Sequence, residues 1–130
     1  MKKKVLIIDD SMPIRFLLEA VFSKNYHVVS AQDGLVAMSW LTKGNTPDLI
    51  ITDLQMPNID GFELISFLSS SNLYRDIPVV VLTAANDAET TASINQHHNV
   101  QAFFSKPFDP MQLSAVVADI LSGHLVAAMS

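Results

Sequence analysis

Apolar and polar positions along the chain alternate between two kinds of stretch. Short continuous apolar runs (Val5-Leu6-Ile7-Ile8, Leu49-Ile50-Ile51, Val79-Val80-Val81-Leu82 and Ala102-Phe103-Phe104) are bounded by polar residues or proline, as strands buried on both faces are. Residues 27–31 form a more polar run suited to a sheet edge. Between these runs the period becomes helical. Ile14, Leu17, Leu18, Val21 and Phe22 make one apolar stripe, with Arg15 and Glu19 facing away. Val36, Ala37, Trp40 and Leu41 make a second. Leu64, Ile65 and Leu68, with Phe67 beside them, make a third, and Leu113, Val116, Val117, Ile120 and Leu121 the last. Strand and helix alternate five times, which predicts an α/β fold: a single doubly wound, five-stranded parallel sheet with five surrounding helices.

Start and stop signals sharpen the helices. Ser11 ahead of Pro13, Asp33-Gly34, Asp60-Gly61 and Asp109-Pro110 read as helix starts, and Gly123 as a stop. The strand at 79–82 is continuous and β-branched and should be central. The following helix, roughly residues 87–97, offers only Ala88, Ala92 and Ile94 as apolar candidates, so it is expected to move more than the others. His97-His98 at its end lacks the i, i+4 spacing of a shared metal site and reads as a favourable helix-terminus charge. Trp40 and the Phe residues at 16, 22, 62, 67, 103, 104 and 108 read mostly as core or helix contacts.

Composition narrows the class. With 130 residues, 49% apolar and 16% charged, the chain suits one domain with an ordinary core. Residues 1–122 are taken as that domain, and 123–130 as a short C-terminal tail or truncated linker. Net charge is 8 − 13 = −5, and Arg15, Lys24, Lys43 and Arg75 are scattered, so nothing suggests nucleic acid or an anionic membrane as a partner. The apolar run behind Lys2-Lys3-Lys4 is too short for a signal peptide, and no stretch could span a bilayer. The lack of cysteine excludes disulfides and thiol catalysis and fits a cytoplasmic protein.

Chemistry in an open α/β sheet collects beyond the carboxyl ends of the strands. There the sequence puts Asp9 and Asp10, Asp53, Thr83 and Lys106, which right-handed crossovers bring to one edge. Each has an ordinary explanation alone: a strand exit, a helix cap, a strand-end hydroxyl, a solvated lysine. Asp53 fits a mere turn role less well, because Pro57 and Asp60-Gly61 already supply the turn. Three carboxylates at one edge repel unless a cation intervenes. A hard divalent ion fits, Mg²⁺ with Mn²⁺ as its substitute, held by Asp10, Asp53 and the backbone carbonyl of Gln55, with Asp9 holding a water. No imidazole or thiolate is among these residues, which argues against zinc. Lys106 and Thr83 suit phosphoryl oxygens, and Asp53 between them could serve as a nucleophile forming an acyl phosphate.

Asp9-Asp10, Asp53 with the run DLQMPNIDGFEL, Thr83-Ala84 and Lys106-Pro107-Phe108 together resemble the CheY-like receiver domain of two-component response regulators, over residues 3 to about 121. The resemblance implies the flavodoxin-like strand order 2-1-3-4-5. It also implies that Asp53 accepts a phosphoryl group from a histidine kinase or histidine phosphotransfer protein. By the same resemblance Asp9 and Asp10 organise Mg²⁺, Thr83 is the switch hydroxyl, Lys106 binds phosphate and Phe103 is the aromatic switch residue, here without a phenolic hydroxyl. Gln55 and Ala85 fall at the two variable positions bordering the site, with Ala84 beside them. The partner face would be helix four, strand five and helix five, read by a downstream protein or an effector domain absent from the chain. Such a domain is a phosphoacceptor, not an enzyme beyond its own phosphorylation and dephosphorylation, and a monomer or weak phosphorylation-dependent dimer. Asn99-Val100 stands where the family often has Gly-Ala, and asparagine tolerates the left-handed backbone expected there.

Three competing readings remain in view. One is a receiver-like interaction module that works without phosphate. Another, an aspartate-nucleophile phosphatase, would want a second acid where Gln55 stands. Flavin binding would want a phosphate loop where Asp9-Asp10 would repel phosphate.

Overall fold

Parallel strands and helices alternate throughout the computed structural model, which describes residues 2–56, 58–84 and 88–123. In chain order these are β1 (Lys4–Ile8), α1 (Met12–Phe22), β2 (His27–Ala31), α2 (Gly34–Thr42), β3 (Leu49–Thr52), α3 (Gly61–Ser70), β4 (Val79–Thr83), α4 (Ala88–Asn95), β5 (Val100–Ser105) and α5 (Pro110–Ser122). The sheet order is β2-β1-β3-β4-β5, as expected. β4 is interior, paired on both sides, but the middle strand is β3.

Strand side chains alternate between two apolar layers. Leu6, Ile8, Ile50, Val79 and Val81 pack with Ala37, Leu41, Leu64, Ile65, Leu68 and Ile94 from α2, α3 and α4. Val5, Ile7, Ile51, Val80 and Leu82 pack on the other face with Leu18, Phe22, Leu113 and Val117 from α1 and α5. β1, β3 and β4 are covered on both faces, which is why their sequences read as unbroken apolar runs. β5 is half-buried along its length, as an edge strand is, and is longer than the run 102–104 suggested.

The caps follow the sequence signals. Ser11 Oγ accepts from Ile14 N, Asp33 Oδ1 from Val36 N, Asp60 Oδ1 from Glu63 N and Asp109 Oδ1 from Met111 N. Gly123 closes α5 at φ 83°, a left-handed conformation that glycine adopts at no steric cost.

Several expectations need correcting. Leu17 and Val36, assigned to buried stripes, are 42% and 41% exposed, and Phe16 is 61% exposed. α1 and α2 each cover the sheet with a narrower stripe, centred on Leu18 and Phe22 in one and Ala37 and Leu41 in the other. Arg15 and Glu19 do not simply face away: Arg15 bonds the carbonyl of Asp9, and Glu19 accepts from Ser30 Oγ at 2.7 Å. α4 ends at Asn95, and of its apolar candidates only Ile94 is buried. Asn99 has no left-handed backbone. The turn before β5 is closed by Val100 N donating to His97 O, while the left-handed asparagine is Asn58, at φ 68°. Pro57 and Ala85 lie outside the described residues, as does the tail beyond Gly123.

Candidate functional site

The carboxyl edge of the sheet gathers its polar residues because each strand stops at one. Ile8 is followed by Asp9, Thr52 by Asp53, and β4 and β5 end at Thr83 and Ser105, which are register partners. Lys106 comes next, and its backbone N–H donates to Thr83 O at 2.9 Å, so β5 delivers the lysine beside the end of β4. The Lys106–Pro107 peptide is cis.

Lys106 Nζ stands between two carboxylates, 2.8 Å from Asp9 Oδ2 and 3.1 Å from Asp53 Oδ2. Oδ1 of Asp53 accepts from the backbone N–H groups of Leu54 and Gln55 at 2.6 and 3.2 Å. Asp9 Oδ1 accepts from Ser11 N at 2.8 Å. Asp9, Asp53 and Thr83 are buried, whereas Asp10, Gln55 and Ala84 are exposed at the rim. Burial pushes the Asp9 carboxyl above its ordinary value, outweighing the hydrogen bonds from Lys106 and Ser11, and the nearby Asp53 charge adds to the rise. Burial pulls Lys106 the other way, but its bonds to Asp9 and Asp53 and their charges hold its pKa above the ordinary lysine value.

One carboxylate oxygen from each of Asp9, Asp10 and Asp53 can be chosen so that all lie within 4.8 Å of one another. Three acids facing a single ammonium leave a negative excess in a largely buried place, and all the side-chain donors are hard oxygens. That set fits a small divalent cation entering from the exposed Asp10 side, the Mg²⁺ type of site.

The structure thus brings together Asp9, Asp10, Asp53, Thr83 and Lys106, with Gln55 and Ala84 at the border. Phe103 is not among them. It lies on β5, pairs with Val81, and is partly buried against the layer that includes Ile94 of α4. Sequence reasoning missed Arg15, which reaches this edge from α1, and Asn58, whose side-chain amide donates to Asp33 Oδ2 at 3.3 Å and ties the loop after β3 to the start of α2. A lone charged residue on a helix carries no sequence signal for such a contact, although the asparagine in PNIDG was a legible turn residue.

Comparison with known proteins points to one family. The family model described as response regulator receiver domain matches residues 5–118. A chemotaxis protein CheY homolog of Campylobacter jejuni is 30% identical over 121 residues, covering 91% of this chain and 92% of that protein. A probable transcriptional regulator ycf27 of Porphyridium aerugineum is 35% identical over 121 residues, covering 92% of this chain, which spans only 48% of that relative's length. Among solved structures, the signal receiver domain of a signal transduction histidine kinase from Syntrophus aciditrophicus superimposes with a TM-score of 0.84 at 30% identity, covering 93% of this chain and 91% of that one. No helix among the described residues is long and apolar enough to cross a membrane. A family match over most of its length, together with relatives of the same size and fold, makes this chain a member of the response regulator receiver domain family.

Proposed function

We propose that the protein is a phosphorylation-controlled signalling domain whose acceptor is Asp53, charged by a histidine kinase or a histidine phosphotransfer protein in a Mg²⁺-dependent reaction. The observation that carries this reading is the Lys106 ammonium bridging Asp9 and Asp53, beside three carboxylates that can share a cation. An Asp53 oxygen forms a bond to phosphorus as the bond from phosphorus to the donor's leaving group breaks, and the leaving group keeps that electron pair and is protonated from water. Asp9, Asp10, Asp53 and the carbonyl of Gln55 would hold the Mg²⁺, which supplies charge neutralisation for the phosphoryl oxygens. The N–H groups of Leu54 and Gln55 orient the acceptor carboxylate. Lys106 exchanges its Asp53 contact for a phosphoryl oxygen, and the Thr83 hydroxyl turns to another.

The output follows from the same move. With Thr83 drawn toward the phosphoryl group, Phe103 repacks and the face made by α4, β5 and α5 changes. α4 suits this role because Ile94 is its single buried anchor. The partner that reads this face is a downstream protein or an effector domain, and the protein acts in the cytoplasm as a phosphoacceptor, with no substrate turned over.

Incubation with acetyl phosphate and Mg²⁺ should add one phosphoryl group, measured by intact mass and by lability in mild base. Asp53→Asn should remain unlabelled. Labelling of Asp53→Asn at the wild-type rate, or labelling unaffected by chelating the metal, would remove the assignment.

A further inference from the structure

Arg15 sits in the first turns of α1, and its Nη1 donates to the backbone carbonyl of Asp9 across 2.6 Å. With that bond every polar atom of Asp9 is engaged. Its N–H donates to Ala31 O at 3.2 Å, Oδ1 accepts from Ser11 N, and Oδ2 accepts from Lys106. The carbonyl that Arg15 holds belongs to the peptide plane joining Asp9 to Asp10, and a peptide plane turns as a unit. Fixing its oxygen therefore fixes the direction in which the chain leaves toward Asp10, the exposed member of the acidic cluster.

We infer that Arg15 is a positioning residue: it locks the Asp9–Asp10 peptide so that the two carboxylates are already placed for a divalent cation. This rests on reading Asp9, Asp10 and Asp53 as the metal site. Two physical effects of the arginine oppose each other, and their signs separate them. A guanidinium beside an acidic cluster repels a cation, so charge alone would make its removal tighten Mg²⁺ binding. Preorganisation makes its removal weaken Mg²⁺ binding, as loss of an outer-shell partner commonly does.

The test is isothermal titration of MgCl₂ into the 130-residue protein, wild type beside Arg15→Ala, Arg15→Met and Arg15→Lys, with thermal unfolding of each metal-free protein as the check on folding. Arg15→Met keeps the aliphatic stem and its packing, so a folded variant without the donor remains available if alanine destabilises α1. We expect Mg²⁺ affinity to fall about tenfold in the alanine and methionine variants. Lysine, which keeps one charged donor, should restore much of it. Unchanged or tighter binding in folded Arg15→Met overturns the inference. Failure of the wild-type protein itself to take up Mg²⁺ instead removes the metal-site reading, and the role of Arg15 with it.

Discussion

Asp9 shows how a single buried acid makes stability depend on pH. Burial raises its pKa in the folded chain, so the folded state holds the Asp9 proton more tightly than the unfolded state does. The stability this contributes is fully present below the unfolded value of 3.8 and is lost as pH rises through the higher folded value. In its ionised form the carboxylate is therefore a net burden on the metal-free fold. Asp9→Asn should raise the melting temperature of the metal-free protein by a few degrees at pH 7, with the gain shrinking as pH falls. On the proposed metal-site reading, millimolar Mg²⁺ should stabilise wild type, and Asp9→Asn should lose most of that gain. Calorimetry across pH, with and without Mg²⁺, measures both effects. At this scale the sequence was readable wherever a strand ended: Asp9, Asp53, Thr83 and Lys106 each break or follow an apolar run. Arg15 and Glu19 were not, because hydrophobic periodicity locates the centre of the buried stripe and says nothing about what its flanks touch.

α3 begins against Asp53 itself. Gly61 occupies its first position, and a Cβ there would press on the backbone oxygen of Asp53 and stand 2.6 Å from Leu54 Cα. Exchanging glycine for alanine in a helix ordinarily stabilises it by roughly 1 kcal/mol. Here crowding should dominate, and Gly61→Ala should destabilise the protein by about 1–3 kcal/mol. Because the clash falls on the segment whose N–H groups hold the Asp53 carboxylate, phosphoryl transfer from acetyl phosphate should slow as well. Urea unfolding together with a labelling time course checks both. The sequence placed α3 correctly from its Asp-Gly start but could not distinguish a turn glycine from one required by close approach. It also gave no sign that Tyr74, beyond α3, is buried and donates its hydroxyl to Leu41 O at 3.0 Å, joining that segment to the end of α2. Element identities were legible because period and caps are local. The exposed Phe16, Leu17 and Val36 were misread because the width of a buried stripe depends on which neighbours cover it.

Across the whole molecule, the sheet divides the apolar interior into two separate layers, one under α2, α3 and α4 and the other under α1 and α5. Strand order was legible only through family resemblance, since alternation of strands and helices predicts a parallel sheet without saying which strand lies at its centre. The division follows from strand geometry, in which successive side chains point to opposite faces. It makes the protein two mutational compartments with a common wall. Leu68→Ala in one layer and Leu113→Ala in the other should each cost about 2–5 kcal/mol, by the usual penalty for emptying a buried leucine site. Their double mutant should lose the sum of the two to within about 0.5 kcal/mol, because neither cavity borders the other. A large coupling energy in that cycle would mean that the sheet itself deforms. Additivity would mean that the layer beneath α2, α3 and α4 can be repacked while the layer beneath α1 and α5 is left untouched.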